Sequence, residues 1–352
     1  MTIESLRTKV REWDFHNISN SPIADSKYTY ILDQLEHHAA RDWKVYLPAE
    51  HPDFTPSYLD RLSRWIGNLA SEDDQRLLLE YALHISFFSH DDFTALYRTA
   101  LNREVVRWVA EQVGARLEPD GHMAFNNLVH RQIHHHTWFC PITDSMDINE
   151  FYKVNHLKGV GHRPGFATLQ MLAETAGNPN PNLAANVAHY MANPGGDPLR
   201  PSPALERLVL LEDIVGSGSQ CLDAVKWAVT TLGKPILFLP LILCPNGVQA
   251  LKDEEKNWGG RLTVRPIVEL HRSDLLGPER QGHSAWSITD RMETLAIACS
   301  RGALVDRDPF GYKSTGCSLA TCSNTPDNTL PIVHYKPTKG CWEPLFPRVF
   351  RD

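Results

Sequence analysis

The sequence predicts an α/β protein: a central, mostly parallel sheet flanked by helices, with an all-α region over residues 1–115 in front of it. Three observations carry this. Apolar residues recur at near-3.6 spacing through the first 115 positions. Strand-like and helix-like segments then alternate, which is the order that builds parallel sheets with crossover helices. The runs Leu208–Leu211 and Ile236–Leu239 are apolar at consecutive positions, as in strands covered on both faces. The expected domains are therefore a helical region, 1–115, and an α/β domain with a C-terminal lid or tail, 116–352.

In the first region, Tyr28–Trp43 carries Tyr30, Ile31, Leu35 and Ala39 on one side, and Tyr58–Ala70 carries Leu59, Leu62, Trp65, Ile66 and Leu69. A helix over Glu72–Phe88 follows. Ser89 and Asp92 form an S-x-x-D start signal for a helix from about His90 to Leu101. Asn102 is a candidate cap for a last helix, Arg103–Val113, and short connections make an antiparallel bundle the simplest arrangement. Beyond Arg116 the expected elements are a strand His136–Ile142, a helix Met146–Leu157 and a helix Gly165–Glu174. Next come a strand Arg207–Leu211, a helix Ser219–Leu232, a strand Ile236–Leu243, a helix Asn246–Trp258 and a strand Leu262–Leu270. Asn178–Asn182 and Asn193–Pro203 read as loops, and the tail from about Asp306 is rich in turn formers.

Composition excludes several classes. At 42% hydrophobic and 22% charged residues the 352-residue chain has ordinary globular usage, against wholesale disorder. A net charge of −7 argues against nucleic acid as a broad electrostatic partner. No apolar run approaches the ~20 residues of a membrane span. The start, MTIESLRTKVREWDF, lacks the apolar core of a secretory signal, so a cytoplasmic location without membrane attachment is expected. Seven scattered cysteines with no C-x-x-C pair read as reduced thiols.

Leu208–Gln220 is the most informative segment: a buried strand, the adjacent acids Glu212 and Asp213, then Val215, Gly216, Ser217, Gly218 and Ser219 leading into a helix. Glycines let backbone N–H groups converge on an anion, and a helix N-terminus adds free N–H groups and a positive dipole end. Such a turn suits one terminal phosphate. Carboxylates beside it suit sugar hydroxyls or a divalent cation, so the pairing suits a ribose 5-phosphate. A Walker-type loop is disfavoured because no lysine follows the glycines, and a dinucleotide fingerprint is incomplete.

Leu208–Gln220 resembles the phosphoribosyl-pyrophosphate signature of type I phosphoribosyltransferases. The resemblance implies Glu212 and Asp213 as the catalytic pair on the ribose hydroxyls and Val215–Ser219 as the 5-phosphate loop. Gly216 stands where purine-salvage members often carry an acid, and Gln220 replaces the usual hydroxyl residue. The form E-D-I-V-G-S-G-S-Q is closer to a divergent phosphoribosyltransferase-like branch predicted in prokaryotic conflict and antiphage operons. Cys140–Ile148, Gly311-Tyr312 with Ser323–Pro331, and Trp342–Arg348 fit that branch, over roughly 130–350. The implied protein binds phosphoribosyl pyrophosphate, or a related ribose-5-phosphate nucleotide, with Mg²⁺. It acts at the anomeric carbon, as an effector in bacterial defence. The missing acid at Gly216 keeps open a catalytically inactive nucleotide sensor or partner-binding regulator using the same pocket. The helical N-terminus is then a candidate docking surface for an operon-encoded protein partner.

Thr143, Asp144 and Ser145 have two readings. Ser145 and Asp147 serve as helix caps, or the turn binds pyrophosphate through its amides, as the resemblance implies. Mg²⁺ keeps several waters, so few protein ligands are expected. Asn324 and Asn328, with Tyr312, Trp342 and Arg348, are candidates for an acceptor-binding lid, though a structural role as turn formers and core is the favoured reading. His134–His136, placed on a strand, would point to alternating faces and cannot share one ion.

Overall fold

The computed structural model describes residues 1–18, 26–47, 56–116, 121–157, 163–176, 205–282, 287–304, 307–338 and 340–349. The loops expected at Asn178–Asn182 and Asn193–Pro203 lie outside them. Among the described residues the chain divides into two compact units, Met1–Asp92 with His271–Asp352, and Phe93–Leu270. This division does not follow the expected boundary at 115.

In chain order the first unit begins with α1 (Ile3–Ile18), α2 (Lys27–Ala40), α3 (Tyr58–Ile66), α4 (Glu72–Ala82) and β1 (Ser86–Phe88). On α2 the buried set is Tyr28, Ile31, Leu32 and Leu35, whereas Tyr30, expected on that face, is exposed. Asp14 fixes the entry to α2 by accepting the N–H groups of Tyr28 and Thr29, each at 2.9 Å. The helix expected to run to Phe88 stops at Ala82, and Ser86–Phe88 is extended, paired in parallel with a strand far along the chain.

The second unit opens with α5 (His90–Thr99), whose Ser89–Asp92 capping box forms as expected. A six-residue π-helical segment, Ala100–Val105, carries it into α6 (Val106–Gln112). Asn102 therefore sits inside a continuous helix and caps nothing. Then come α7 (His122–His136), β2 (Thr137–Pro141), α8 (Ile148–Val154), α9 (Phe166–Ala176), β3 (Arg207–Val215), α10 (Ser219–Leu232), β4 (Ile236–Leu243), α11 (Pro245–Asn257), β5 (Leu262–Val264) and β6 (Val268–Glu269). The sheet order is β2-β3-β4-β5, with β6 also on β4, and every pairing is parallel.

All eight residues of β4 are buried, as its unbroken apolar run requires. On one face Trp138, Cys140, Leu208, Leu210 and Phe238 pack with Val225, Ala228 and Val229 of α10. On the other, Phe139 meets Phe151 and Tyr152 of α8 at ring-centroid distances of 5.6 and 5.8 Å. The expected strand Leu262–Leu270 is split at Pro266, which has no N–H to give the ladder. Arg265 and Ile267, on either side, still donate to Phe238 and Pro240.

The chain completes the first unit with α12 (Thr289–Arg301), β7 (Leu319–Thr321), which pairs with β1, and α13 (Pro331–His334). Leu276, Met292, Ile332, Val333, Leu345 and Phe346 share one core with Leu35, Leu62, Trp65 and Leu78. The Trp65 indole N–H donates to the Ile332 carbonyl at 2.7 Å. The apolar stripes of α1–α4 are thus buried against the end of the chain, which is why the tail is structured rather than a free lid.

Candidate functional site

The site lies at the carboxyl ends of β2 and β3, the edge of a parallel sheet where α/β proteins place their ligands. β3 extends to Val215, four residues beyond its expected end at Leu211, because β4 continues to pair with it: Glu212 opposite Pro240, Ile214 opposite Ile242, Val215 opposite Leu243. The two acids are therefore inside the strand. β2 accompanies β3 only to Pro141 opposite Leu211, with one more bond from Ile142 N–H to the Leu211 carbonyl at 3.0 Å. There β2 leaves, and its turn folds across both acids.

Thr143 grips Glu212 twice. Its N–H donates to Oε2 at 3.1 Å and its hydroxyl lies 2.7 Å from Oε1. Ser145 donates its hydroxyl to Asp213 Oδ1 at 2.9 Å, and Oδ1 also accepts the Ile214 N–H at 2.8 Å. The two hydroxyls are 2.7 Å apart. Successive strand residues point to opposite faces, so Glu212 and Asp213 diverge; the Thr143–Ser145 turn straddles the end of β3 and touches both. Glu212 is 5% exposed. Burial first, then the Asp213 charge, pushes its carboxyl up to about 8, against the opposing pull of the Thr143 hydrogen bonds.

Asp144 is exposed and near enough to Glu212 to raise it further. The expected Ser145 cap is replaced by Asp147, which accepts the Glu150 N–H at 2.9 Å and starts α8. Ser145 is released from capping for the contact with Asp213.

Beyond Val215 the chain turns through Gly216–Ser219. Gly218 has φ 81°, a left-handed conformation that glycine adopts without a Cβ penalty, and α10 begins at Ser219. The first N–H groups of α10 have no carbonyl one turn back to receive them. The Ser217 and Ser219 hydroxyls are 3.1 Å apart beside them. Amides, hydroxyls and a helix dipole thus meet at one partly open turn, an arrangement that suits an anion.

Gly247, which composition and spacing did not single out, is the position that lets the turn close. A Cβ there would lie 3.0 Å from the Gly216 carbonyl oxygen, 3.0 Å from Val215 Cγ1 and 2.8 Å from Leu243 Cδ1. The first turn of α11 thus packs directly behind the Gly216 backbone. Replacing a mid-helix glycine by alanine ordinarily gains roughly 0.5–1 kcal/mol; here Gly247→Ala is expected to lose about 1–2 kcal/mol by overpacking. Gly259→Ala, with only Lys256 O at 3.8 Å, is the control expected to lose nothing comparable. Urea midpoints of the two variants check this.

Asn324 and Asn328 belong to the other compact unit, where each is bound within its own unit. Asn324 donates to the Val349 carbonyl and accepts the N–H groups of Thr325 and Val349. Asn328 donates to the Thr315 hydroxyl at 2.9 Å. Trp342 is buried with its indole N–H on the Ile332 carbonyl, Arg348 donates to the Thr325 carbonyl, and Tyr312 is exposed. These groups are engaged in holding the tail. His134–His136 form the last turn of α7 and are not on a strand, since the helical pattern of His122–Ile133 continues through them.

Among the described residues no three His, Cys, Asp or Glu side chains converge as metal ligands. Asp213 and Asp144 supply hard oxygen donors of the kind Mg²⁺ takes, with phosphate oxygens and water filling the remaining positions.

The family model PRTase-CE matches residues 62–348. The chain belongs to the PRTase-CE family. It carries a phosphoribosyltransferase-like domain, and the sheet edge with its acids and glycine turn lies inside the matched span. No curated protein and no solved structure matches the chain. No helix among the described residues is long and apolar enough to cross a membrane.

Proposed function

We propose that this PRTase-CE protein binds phosphoribosyl pyrophosphate, or a nucleotide carrying ribose 5-phosphate, and acts at the anomeric carbon. The observation that carries the proposal is the meeting, at one sheet edge, of the Glu212–Asp213 pair, the Thr143–Ser145 turn and the Gly216–Ser219 anion cup. The amides and hydroxyls of Gly216–Ser219 take the 5-phosphate. Glu212 and Asp213 accept hydrogen bonds from the ribose hydroxyls, and the 143–145 turn lies on the pyrophosphate side. The C1–O bond breaks with its electron pair leaving on pyrophosphate, positive charge spreads over the ring, and an acceptor lone pair closes on C1. This chain contributes position and fixed dipoles to that step rather than a covalent nucleophile. Asp213 and Asp144 would hold a Mg²⁺ brought in by the ligand, and the ion would supply neutralisation of phosphate charge there.

A second reading, a nucleotide sensor without turnover, draws support from Glu212: both its oxygens are engaged by Thr143 and it is almost fully buried. Pyrophosphate release separates the two readings, since a sensor binds and releases none. The effector role in antiphage defence, with a partner protein on the N-terminal helices, forms the outer part of the proposal. Asp213→Asn is expected to weaken phosphoribosyl pyrophosphate binding at least tenfold in calorimetry with Mg²⁺, and to abolish protection in a phage challenge. Equal binding by wild type and variant, or no binding by wild type, defeats the proposal.

A further inference from the structure

Thr143 and Ser145 present two hydroxyls 2.7 Å apart, one 2.7 Å from Glu212 and the other 2.9 Å from Asp213. Two gauche hydroxyls on adjacent carbons have the same relation: they lie within hydrogen-bond distance of each other and face outward together. The pair also shows that two mutually touching hydroxyls can bridge carboxylates that the strand sends to opposite faces. We propose that Thr143 and Ser145 stand in for the vicinal diol of a ribose, so that the turn between β2 and α8 is a plug displaced when the sugar binds. This rests on the ribose 5-phosphate reading of the pocket and specifies how the pocket opens.

Local structure favours such a plug. The turn follows the last ladder bond of β2, and Asp144 and Ser145 are exposed. It is bounded beyond Met146 by α8, which Asp147 caps independently of Thr143 and Ser145. Displacement exchanges like for like: a sugar hydroxyl replaces a serine or threonine hydroxyl on each carboxylate, and no carboxylate is left bare. Glu212, inaccessible behind Thr143, becomes available only as Thr143 withdraws. The same movement frees the Thr143 N–H, which points at Glu212 Oε2 while the plug is in place, to meet another anionic group of the ligand. Sugar capture is thereby coupled to readying the turn.

The test uses ribose 5-phosphate, which has the diol and the 5-phosphate but no pyrophosphate to recapture the turn. In wild-type protein, hydrogen exchange at the Thr143 amide is expected to rise on binding while amides of 216–219 become protected. In calorimetry Ser145→Ala, which removes one competing hydroxyl from an exposed position, is expected to bind ribose 5-phosphate about three- to tenfold tighter than wild type. Weaker or unchanged binding by Ser145→Ala, or protection of Thr143, means that the turn clamps the ligand or is inert; the plug is then wrong and the pocket assignment stands. No heat and no protection at 216–219 in either protein removes the pocket assignment and the plug with it. The exchange experiment needs no mutation and holds even if Ser145→Ala fails to fold.

Discussion

Glu212→Gln is expected to gain stability on the wild-type protein as pH rises from about 5 to about 8. The sign is the reverse of the common carboxylate case. The Glu212 carboxyl is raised from 4.5 to about 8 in the folded chain. Between those values the unfolded chain releases this proton and the folded chain keeps it, so unfolding becomes more favourable as pH rises. Below the unfolded value both states are protonated, and above about 8 both are ionised, so the contribution is flat outside the window. The slope approaches ~1.4 kcal/mol per pH unit, and the total is on the order of a few kcal/mol. Glutamine keeps the geometry: its carbonyl accepts the Thr143 N–H and its amide donates to the Thr143 hydroxyl, as a protonated carboxyl does. Urea midpoints at pH 5 and pH 8 measure the effect. The variant should match wild type within about 1 kcal/mol at pH 5 and exceed it clearly at pH 8. A Gln variant that gains nothing on wild type between pH 5 and pH 8, or is less stable at pH 8, would show that Glu212 is ionised in its burial site.

The largest loss of stability is expected from Gly316→Ala in the first unit. Gly316 has φ 72°, and a Cβ there would lie 1.7 Å from the Leu276 carbonyl oxygen and 2.8 Å from its carbon. Both atoms are backbone, so no rotamer relieves the clash. The two segments are also tied where they cross. The Leu276 N–H donates to the Gly316 carbonyl at 2.9 Å, and the Gly316 N–H to the Phe310 carbonyl at 2.7 Å. Separating them breaks the Leu276–Gly316 bond and moves Leu276, which is fully buried in the core that α1–α4 share with the tail. The expected cost exceeds about 4 kcal/mol, in the range reserved for named disruptions of this kind. Gly282→Ala supplies the comparison: φ is 84° and nothing lies within 4 Å. That variant should lose only the roughly 1–2 kcal/mol of left-handed strain. Thermal or urea unfolding of the two variants separates strain from collision, and equal losses would refute the close crossing.

Much of the second unit was legible because its signals are local. Ser219–Leu232 and Ile236–Leu243 occur as read, since a glycine turn, a 3.6-residue stripe and an unbroken apolar run each depend on neighbours a few residues away. The acids and the glycine turn were found for the same reason. The helical reading of His122–Ile133 was missed, and the His134–His136 placement failed with it, because three histidines give no strong periodicity. The division at 115 was drawn where texture changes. The contiguous core of α1–α4 with Leu276–Phe346 forms from segments far apart in the chain, which no window reports.

The residues alone determined an α/β chain with a helical start, a parallel sheet and an acid pair ahead of a glycine turn, because pattern and turn chemistry are written in adjacent positions. Only the tertiary structure decided that β4 carries β3 past both acids, that Thr143 and Ser145 cover them, and that Gly247 backs the Gly216 turn. Those facts depend on where separate strands end relative to one another, and that register is set by packing between segments rather than by the composition of any one of them.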